Sequence, residues 1–437
     1  MSKKISAIVF TAMMLFSCLA AKAQEGSYSS FSPYSVFGIG NLSDAGTAYN
    51  SMMGGVGIAS RDHRYVNFLN PAAITERDSL SVLADFGMFS DNRIYRQGDL
   101  RSAKNLINIK DIVVSFPLGN RFAMSAGLVP FSSTGYSFSG RLEDDAMVGD
   151  IGNVNYKTAG QGGLYQLFFG VAAKVTDGLS VGVQGLYYFG NMEKTSTMSF
   201  SGSGYRSINS GYKVNMNAIS PKFGAQYEHR FPGGMKMIAG ATYRLSARMK
   251  GESEYYKIAS ISNISDTLAA NTLKLGEGDV KIAEEFGVGI SLRKGDKWMA
   301  EIDYTFSDWS GCGMNATQGF SSLGEVKFST TTSQKIRAGF ELVPNRNDIR
   351  SNLRRWSYRA GIYHGTDYFK LDGKKVKDTG VTFGVTVPVF RWYNGLSFGV
   401  SLGHRGTAAG GMTRENYANF SVGFNLHDIW FQKPRYE

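Results

Sequence analysis

Cysteine is almost missing from this chain of 437 residues, which carries only Cys18 and Cys312. If the N-terminal region is removed on export, Cys312 is a lone thiol and no intramolecular disulfide can form. Stability must then come from a large core or from a membrane. Long apolar runs are missing too. After the first 23 residues no stretch of about 18 apolar residues occurs, and a spanning helix needs roughly 20, which excludes a helical membrane protein. The five histidines, His63, His229, His364, His404 and His427, share no spacing such as His-x-x-x-His, so no metal is expected. There is no Gly-x-Ser-x-Gly, no phosphate-cradling loop and no paired-carboxylate signal. Glu143-Asp144-Asp145 reads as a solvated loop and Glu284-Glu285 as a strand pair. The chain is therefore expected to be no enzyme and to take no cofactor, and it shows no nucleic-acid motif.

What is present begins at the N-terminus. Lys3 and Lys4 precede an apolar run from Ile5 to Leu19, and Ala21-Lys22-Ala23 then supplies a small-x-small site before Gln24, the pattern of a secretory signal peptide over residues 1–23. A lipoprotein signal ending at Cys18 is the competing reading; Phe16 is bulky for that site, and Ala21-Lys22-Ala23 fits ordinary cleavage better. Cleavage after Ala23 leaves 414 residues and, because the removed part holds three lysines and no acid, lowers the formal charge from +11 to +8. On an exported protein, such a charge points to anionic lipopolysaccharide or peptidoglycan rather than nucleic acid.

Fifty-three glycines, 23 tyrosines and 29 phenylalanines against nine prolines make a strand-rich profile. Period-two alternation, the mark of a strand with two unlike faces, recurs along the chain. Trp298, Ala300, Ile302, Tyr304 and Phe306 alternate with Glu301, Asp303, Thr305 and Ser307. Over 235–250, Met237, Ala239, Ala241 and Tyr243 oppose Lys236, Thr242, Arg244 and Arg248, and over 333–343, Ile336, Ala338 and Phe340 oppose Lys335, Arg337 and Glu341. Fourteen such segments fall between residues 79 and 430. Connections after even-numbered segments are mostly short, as at Gly119-Asn120, Asp177-Gly178 and Lys294-Gly295, and those after odd-numbered ones are long, as at 141–160, 251–278 and 311–332. Short periplasmic turns alternating with long extracellular loops belong to an outer-membrane barrel, apolar outside and polar within. The fold expected is therefore all-β, a transmembrane antiparallel β-barrel of about fourteen strands over 79–431, in the outer membrane of a Gram-negative cell.

Two aromatic features refine this. Trp298 and Trp309, 11 positions apart, match the two girdles that flank an apolar band. Ala418 to Phe431 reads as a final strand with an aromatic close, followed by a basic periplasmic tail, 432–437.

Before the first strand, residues 24–78 lack the alternation and instead carry Phe37-Gly38-Ile39-Gly40-Asn41, Met53-Gly54-Gly55-Val56-Gly57 and Asn70-Pro71-Ala72. A Gly-rich stretch, then Asn-Pro-Ala, then the first strand resembles the FadL family of outer-membrane hydrophobic-compound transporters, as do Thr242-Tyr243-Arg244 and the Ser-Asp-Trp close of Tyr304 to Trp309. The glycine-rich style and the Ala23/Gln24 junction resemble proteins of the Bacteroidetes. The resemblance implies that residues 24–78 fold into the lumen as a plug ending in Asn70, Pro71 and Ala72. It also implies lateral exit of the substrate through a gap at a kinked third strand, where Pro130 and Gly135 stand. Pro130 cannot donate to a ladder, although it could equally start a loop, and Pro221 and Pro388 raise the same question.

Lumen-facing Arg244, Arg248, Lys335 and Arg337 are candidates to bind a ligand's anionic head; set against Glu301, Asp303 and Glu341, they could also simply brace the wall. Passive uptake of a hydrophobic or amphipathic small molecule is the leading expectation, with membrane lipids and lipopolysaccharide as surroundings. The alternative is a non-transporting subunit or scaffold of an outer-membrane export or assembly complex, partnered by other outer-membrane proteins.

Overall fold

A computed structural model describes residues 30–429, apart from 45, 79, 143–151, 203, 262–263, 278–279, 322–325, 390–393 and 410. The signal peptide with Cys18, the first residues of the 24–78 segment, Glu143-Asp144-Asp145, the Trp430-Phe431 close and the basic tail lie outside the described residues.

Fourteen antiparallel strands form a closed barrel. They are β1 (Ser81–Gln97), β2 (Leu100–Leu118), β3 (Phe122–Leu142), β4 (Val154–Lys174), β5 (Leu179–Phe200), β6 (Ser207–Arg230) and β7 (Met235–Arg244) in the first half. The second half is β8 (Glu285–Lys294), β9 (Trp298–Asp308), β10 (Thr332–Leu342), β11 (Ser357–Leu371), β12 (Lys374–Pro388), β13 (Gly395–Arg405) and β14 (Arg414–Ile429). Each pairs with its neighbour in sequence, and β14 closes on β1 from Ser81↔Ile429 to Arg96↔Arg414. Closure of β14 on β1 leaves neither end of the sheet open to hydrocarbon, which is what a strand protein in lipid requires.

The period-two pattern sets the two faces. On β9 Ile302 is 54% exposed and turns out to lipid, while its neighbours Glu301 and Asp303 are buried inside at 2% and 1%. Tyr243, Phe286, Ile336, Phe340, Ile362 and Phe420 continue the exposed apolar surface on other strands. β9 has 11 residues, which at about 3.3 Å each and about 45° of tilt spans roughly 25 Å, the height of the apolar band. β6 has 24 residues and rises about twice as far, so on the β3–β6 side the wall stands well clear of the membrane.

Several expectations change in detail. The connection between β1 and β2 is a tight turn, Gly98-Asp99, because both strands run on past the apolar band. Trp309 is no girdle residue: it is 1% exposed and packs 4.8 Å from Tyr368 inside. The separation from Trp298 is odd, and odd separations at period two put side chains on opposite faces. The segment 235–250 is not one strand. Pro221 has no N–H for the ladder, pairing of β6 with β7 ends at Lys222↔Arg244, and pairing resumes only at Asn217↔Lys250 with the separate strand Lys250–Ile261. The chain between swings inward, burying Ala247 and Met249 and turning Arg248 to the exposed side.

Residues 30–78 carry little regular structure beyond the short strand Asn41–Leu42, a helical turn at Ala48–Ser51 and the 3-10 helices Pro33–Val36 and Pro71–Thr75. Most are buried, and their partners are inward-facing groups on strands around the whole circumference.

Candidate functional site

Three constructions fasten this N-terminal segment. The first is the Asn70-Pro71-Ala72 motif. The Asn70 side chain accepts the Ala72 N–H at 3.0 Å, capping the 3-10 helix that Pro71 opens, and its amide donates to Ile58 O at 2.8 Å and to Ala225 O on β6 at 3.1 Å. The motif is a cap and a staple at once.

The second is a buried charge network near the turns that follow the even strands. Asp62 accepts from Arg64 Nε at 2.7 Å and from Arg293 on β8 at 2.6 Å; Arg64 reaches Glu341 on β10 at 3.3 Å, and Glu341 accepts from Arg359 on β11 at 2.8 Å. The Arg359 guanidinium sits 4.4 Å from the Tyr49 ring, and Tyr49 stacks on Tyr65. Burial works to raise the Asp62 pKa, but Arg293 and Arg64 outweigh it and hold the carboxyl well below its usual range. Higher up, Asp303 on β9 accepts the N–H groups of Gly57 and Ile58 at 2.7 and 2.9 Å, and Glu301 accepts that of Ala59 at 2.8 Å.

The third lies towards the opposite end. Ser32 donates to Glu415 on β14 and Tyr34 to Thr413 O just before it, while Arg405 on β13 donates to Asn41 Oδ1 at 2.8 Å and pairs with Asp367 at 2.7 Å. The segment thus descends through the interior, fixed at both ends.

Between the two ends the wall itself is split. β2 and β3 pair only from Leu118↔Phe122 to Ile112↔Leu128; beyond that point β2 continues beside β1 alone and β3 beside β4 alone. Pro130 sits just past the last pair and still faces Tyr165 on β4. The β3–β4 register slips between Pro130↔Tyr165 and Ser132↔Leu164, leaving Phe131 as a bulge. The bulge turns Phe131 inward, 4.6 Å from the Tyr188 ring and 5.7 Å from the Arg244 guanidinium. β2 has its own bulge at Lys110, between Met88↔Ile109 and Gly87↔Asp111.

The N-terminal segment borrows the free edge of β3. Asn41 and Leu42 pair with Ser133 and Ser132, Ser43 N donates to Phe131 O at 2.9 Å, and Ser32 N donates to Gly135 O at 2.8 Å. At Gly135 a Cβ would lie 1.6 Å from Ser30 O, so only glycine admits so close a crossing.

Behind the split lie two adjoining cavities of about 150 and 130 Å³, both bounded by Leu42, Asp44, Lys110, Pro130, Lys335 and Arg337. Leu42 to Asp44 forms the partition between them. Lys335 approaches Asp44 at 3.6 Å. Confinement in the barrel would raise the Asp44 pKa, and Lys335, Arg337 and Lys110 together hold it below the usual carboxylate range instead.

Of the four lumenal cations named from sequence, Arg244, Lys335 and Arg337 come together on the second cavity, and Arg248 does not. Sequence reasoning missed Lys110, Asp44 and Phe131. Lys110 had a signal, since the apolar alternation Ile107, Ile109, Ile112, Val114 skips by three at that point, as a bulge requires. Asp44 had none, because its surroundings have no period. Among the described residues no group of His, Cys, Asp or Glu could hold a metal ion.

Comparison in sequence now decides the kinship, because the profile of one family, BamG, matches residues 1–437. The chain belongs to the BamG family. No curated protein matches this BamG-family chain in sequence. Solved barrels similar in shape include the CymD monoaromatic hydrocarbon channel, with TM-score 0.58 and 15% identity over 91% of this chain and 100% of that one. The Pseudomonas putida toluene transporter TodX gives 0.56 and 12% over 89% and 100%, and a Pseudomonas aeruginosa FadL homologue gives 0.51 and 13% over 90% and 98%. The resemblance to FadL transporters therefore holds for the fold, whereas the family itself carries another name.

Proposed function

We propose that this barrel is an outer-membrane channel for passive uptake of hydrophobic or amphipathic small molecules, with the N-terminal segment as plug and the β2–β3 split as lateral exit into the membrane. The observation that carries this reading is the pair of cavities that ends at the split. A cavity near 150 Å³ accommodates a molecule the size of benzene. Leu42 and Pro130 on both cavities and Phe131 on the second offer an apolar wall, and cations outnumber acids by four to three on the first lining (against Asp44, Asp91 and Asp378) and by five to three on the second (against Asp44, Glu285 and Asp303), which favours a ligand with an anionic head. The hydrocarbon and toluene channels of similar fold support the same direction.

Purified protein reconstituted in liposomes should admit a small aromatic carboxylate. Lys335→Gln with Arg337→Gln should lower uptake of the carboxylate more than that of the matching neutral aromatic. No uptake of either probe would overturn the reading.

The BamG family match over the full length favours a second reading, a barrel subunit of an outer-membrane assembly or export complex. Purification in mild detergent separates the two: stoichiometric partner proteins support the subunit, and a lone monomer supports the channel.

A further inference from the structure

Above the membrane on the β3–β6 side the wall is extended by a hairpin. Lys250–Ile261 pairs with the far half of β6, from Lys250↔Asn217 to Ser260↔Ser207, and Ile264–Lys274 pairs with Lys250–Ile261. Among the described residues Ile264–Lys274 pairs in register with Lys250–Ile261 alone, which leaves an edge 11 residues long. All 11 residues are exposed.

Natural edge strands are usually blunted with lysine, proline, a bulge at the rim or a covering loop. This edge has few of those devices. Asp266 is tied to Arg206, and from Thr267 to Leu273 the sequence Thr-Leu-Ala-Ala-Asn-Thr-Leu has no charge and no proline. Its single bulge falls between the Lys257 and Ile258 rungs, and the rungs from Ala269 to Lys274 are regular. An uncharged, regular edge of this kind is a template for another strand.

Symmetry decides which strand. Two copies of one edge that pair antiparallel are related by a twofold axis perpendicular to the sheet. Here the sheet stands up from the membrane as a continuation of β6, so that axis would lie in the membrane plane and invert the second barrel. Two copies in one membrane cannot pair this way.

We infer that Ile264–Lys274 is a docking edge on the cell surface for an extended β-strand of a different polypeptide, held by main-chain hydrogen bonds. This goes beyond the uptake reading, and either can fail without the other.

The test places a photo-crosslinking amino acid at Ala269, Ala270 or Asn271 of the full chain and irradiates intact cells of the source organism. The expected product is an adduct with one other polypeptide, whose cross-linked residues advance in step with the three positions, as a single strand register demands. Ala270→Lys with Thr272→Lys should cut that adduct at least tenfold while leaving barrel migration on gels and liposome uptake unchanged. Adducts with lipopolysaccharide only, with a second copy only, with many proteins in no common register, or with nothing would each overturn the inference.

Discussion

Asp303 holds the N-terminal segment through two main-chain N–H groups, beside Glu301, which accepts a third. Asp303→Ala strands both donors in a buried place, at about 1–3 kcal/mol each. The expected result is a lower temperature for the mobility shift on heating, together with earlier proteolysis between residues 30 and 78. Asp62 adds a pH dependence. Its folded pKa lies below the unfolded one, so the stability it contributes is complete above the unfolded value, near 4, and drains away as pH falls through the folded value. Proteolysis of the segment should accelerate below about pH 4 in the parent protein. In Asp62→Asn that part of the acid sensitivity should be absent, and an unchanged profile would remove Asp62 from the account. Such roles were half legible from sequence. Glu301, Asp303 and Glu341 announce themselves as inward acids by period two, but that their partners are main-chain groups of residues 57–59, or an arginine two residues beyond Asp62, depends on the path of a segment that has no period.

The two-residue strand Asn41–Leu42 is among the smallest elements of the fold and the one on which the uptake reading turns. It completes the broken edge of β3 and divides the cavities, with Gly40 at φ +87° before it, close under the Ser133 carbonyl, and Gly46 at φ +99° after it. Glycine at both flanks gives the strand two hinge points, and its departure would release Arg405 from Asn41 and Lys335 from Asp44. Leu42→Cys paired with Ser132→Cys, in a Cys312→Ser background, fixes the strand to β3 when oxidised. Liposome uptake should then stop and return on reduction; uptake that ignores the bond would show that the strand is no gate. Among larger elements, the strands crossing the apolar band were read nearly as they stand, because lipid on one side and water or charge on the other impose the alternation. Their extensions beyond the band fall in segments whose pattern predicts loops. Outside the membrane neither face of a strand must be apolar, so the segments 90–106, 131–142 and 192–212 lose the signal while keeping the ladder.

Taken whole, the molecule is a closed ring whose interior is occupied by its own N-terminal segment. A ring of that kind resists detergent until heated, and the protein should migrate faster on a gel before boiling than after; equal mobility would argue against a closed barrel. The β2–β3 split does not open the ring, because seven rungs below it, Ile112↔Leu128 to Leu118↔Phe122, remain paired. The closing ladder between β1 and β14 joins residues at opposite ends of the chain, Ser81 with Ile429. Contacts so distant in sequence form late. The segment ahead of Ser81 has partners on strands from β1 to β14, inside the wall, where nothing could enter once that ladder had zipped. Order of events is therefore written into the architecture: the segment has to be seated while the wall is still an open sheet, and the first and last strands then fasten behind it.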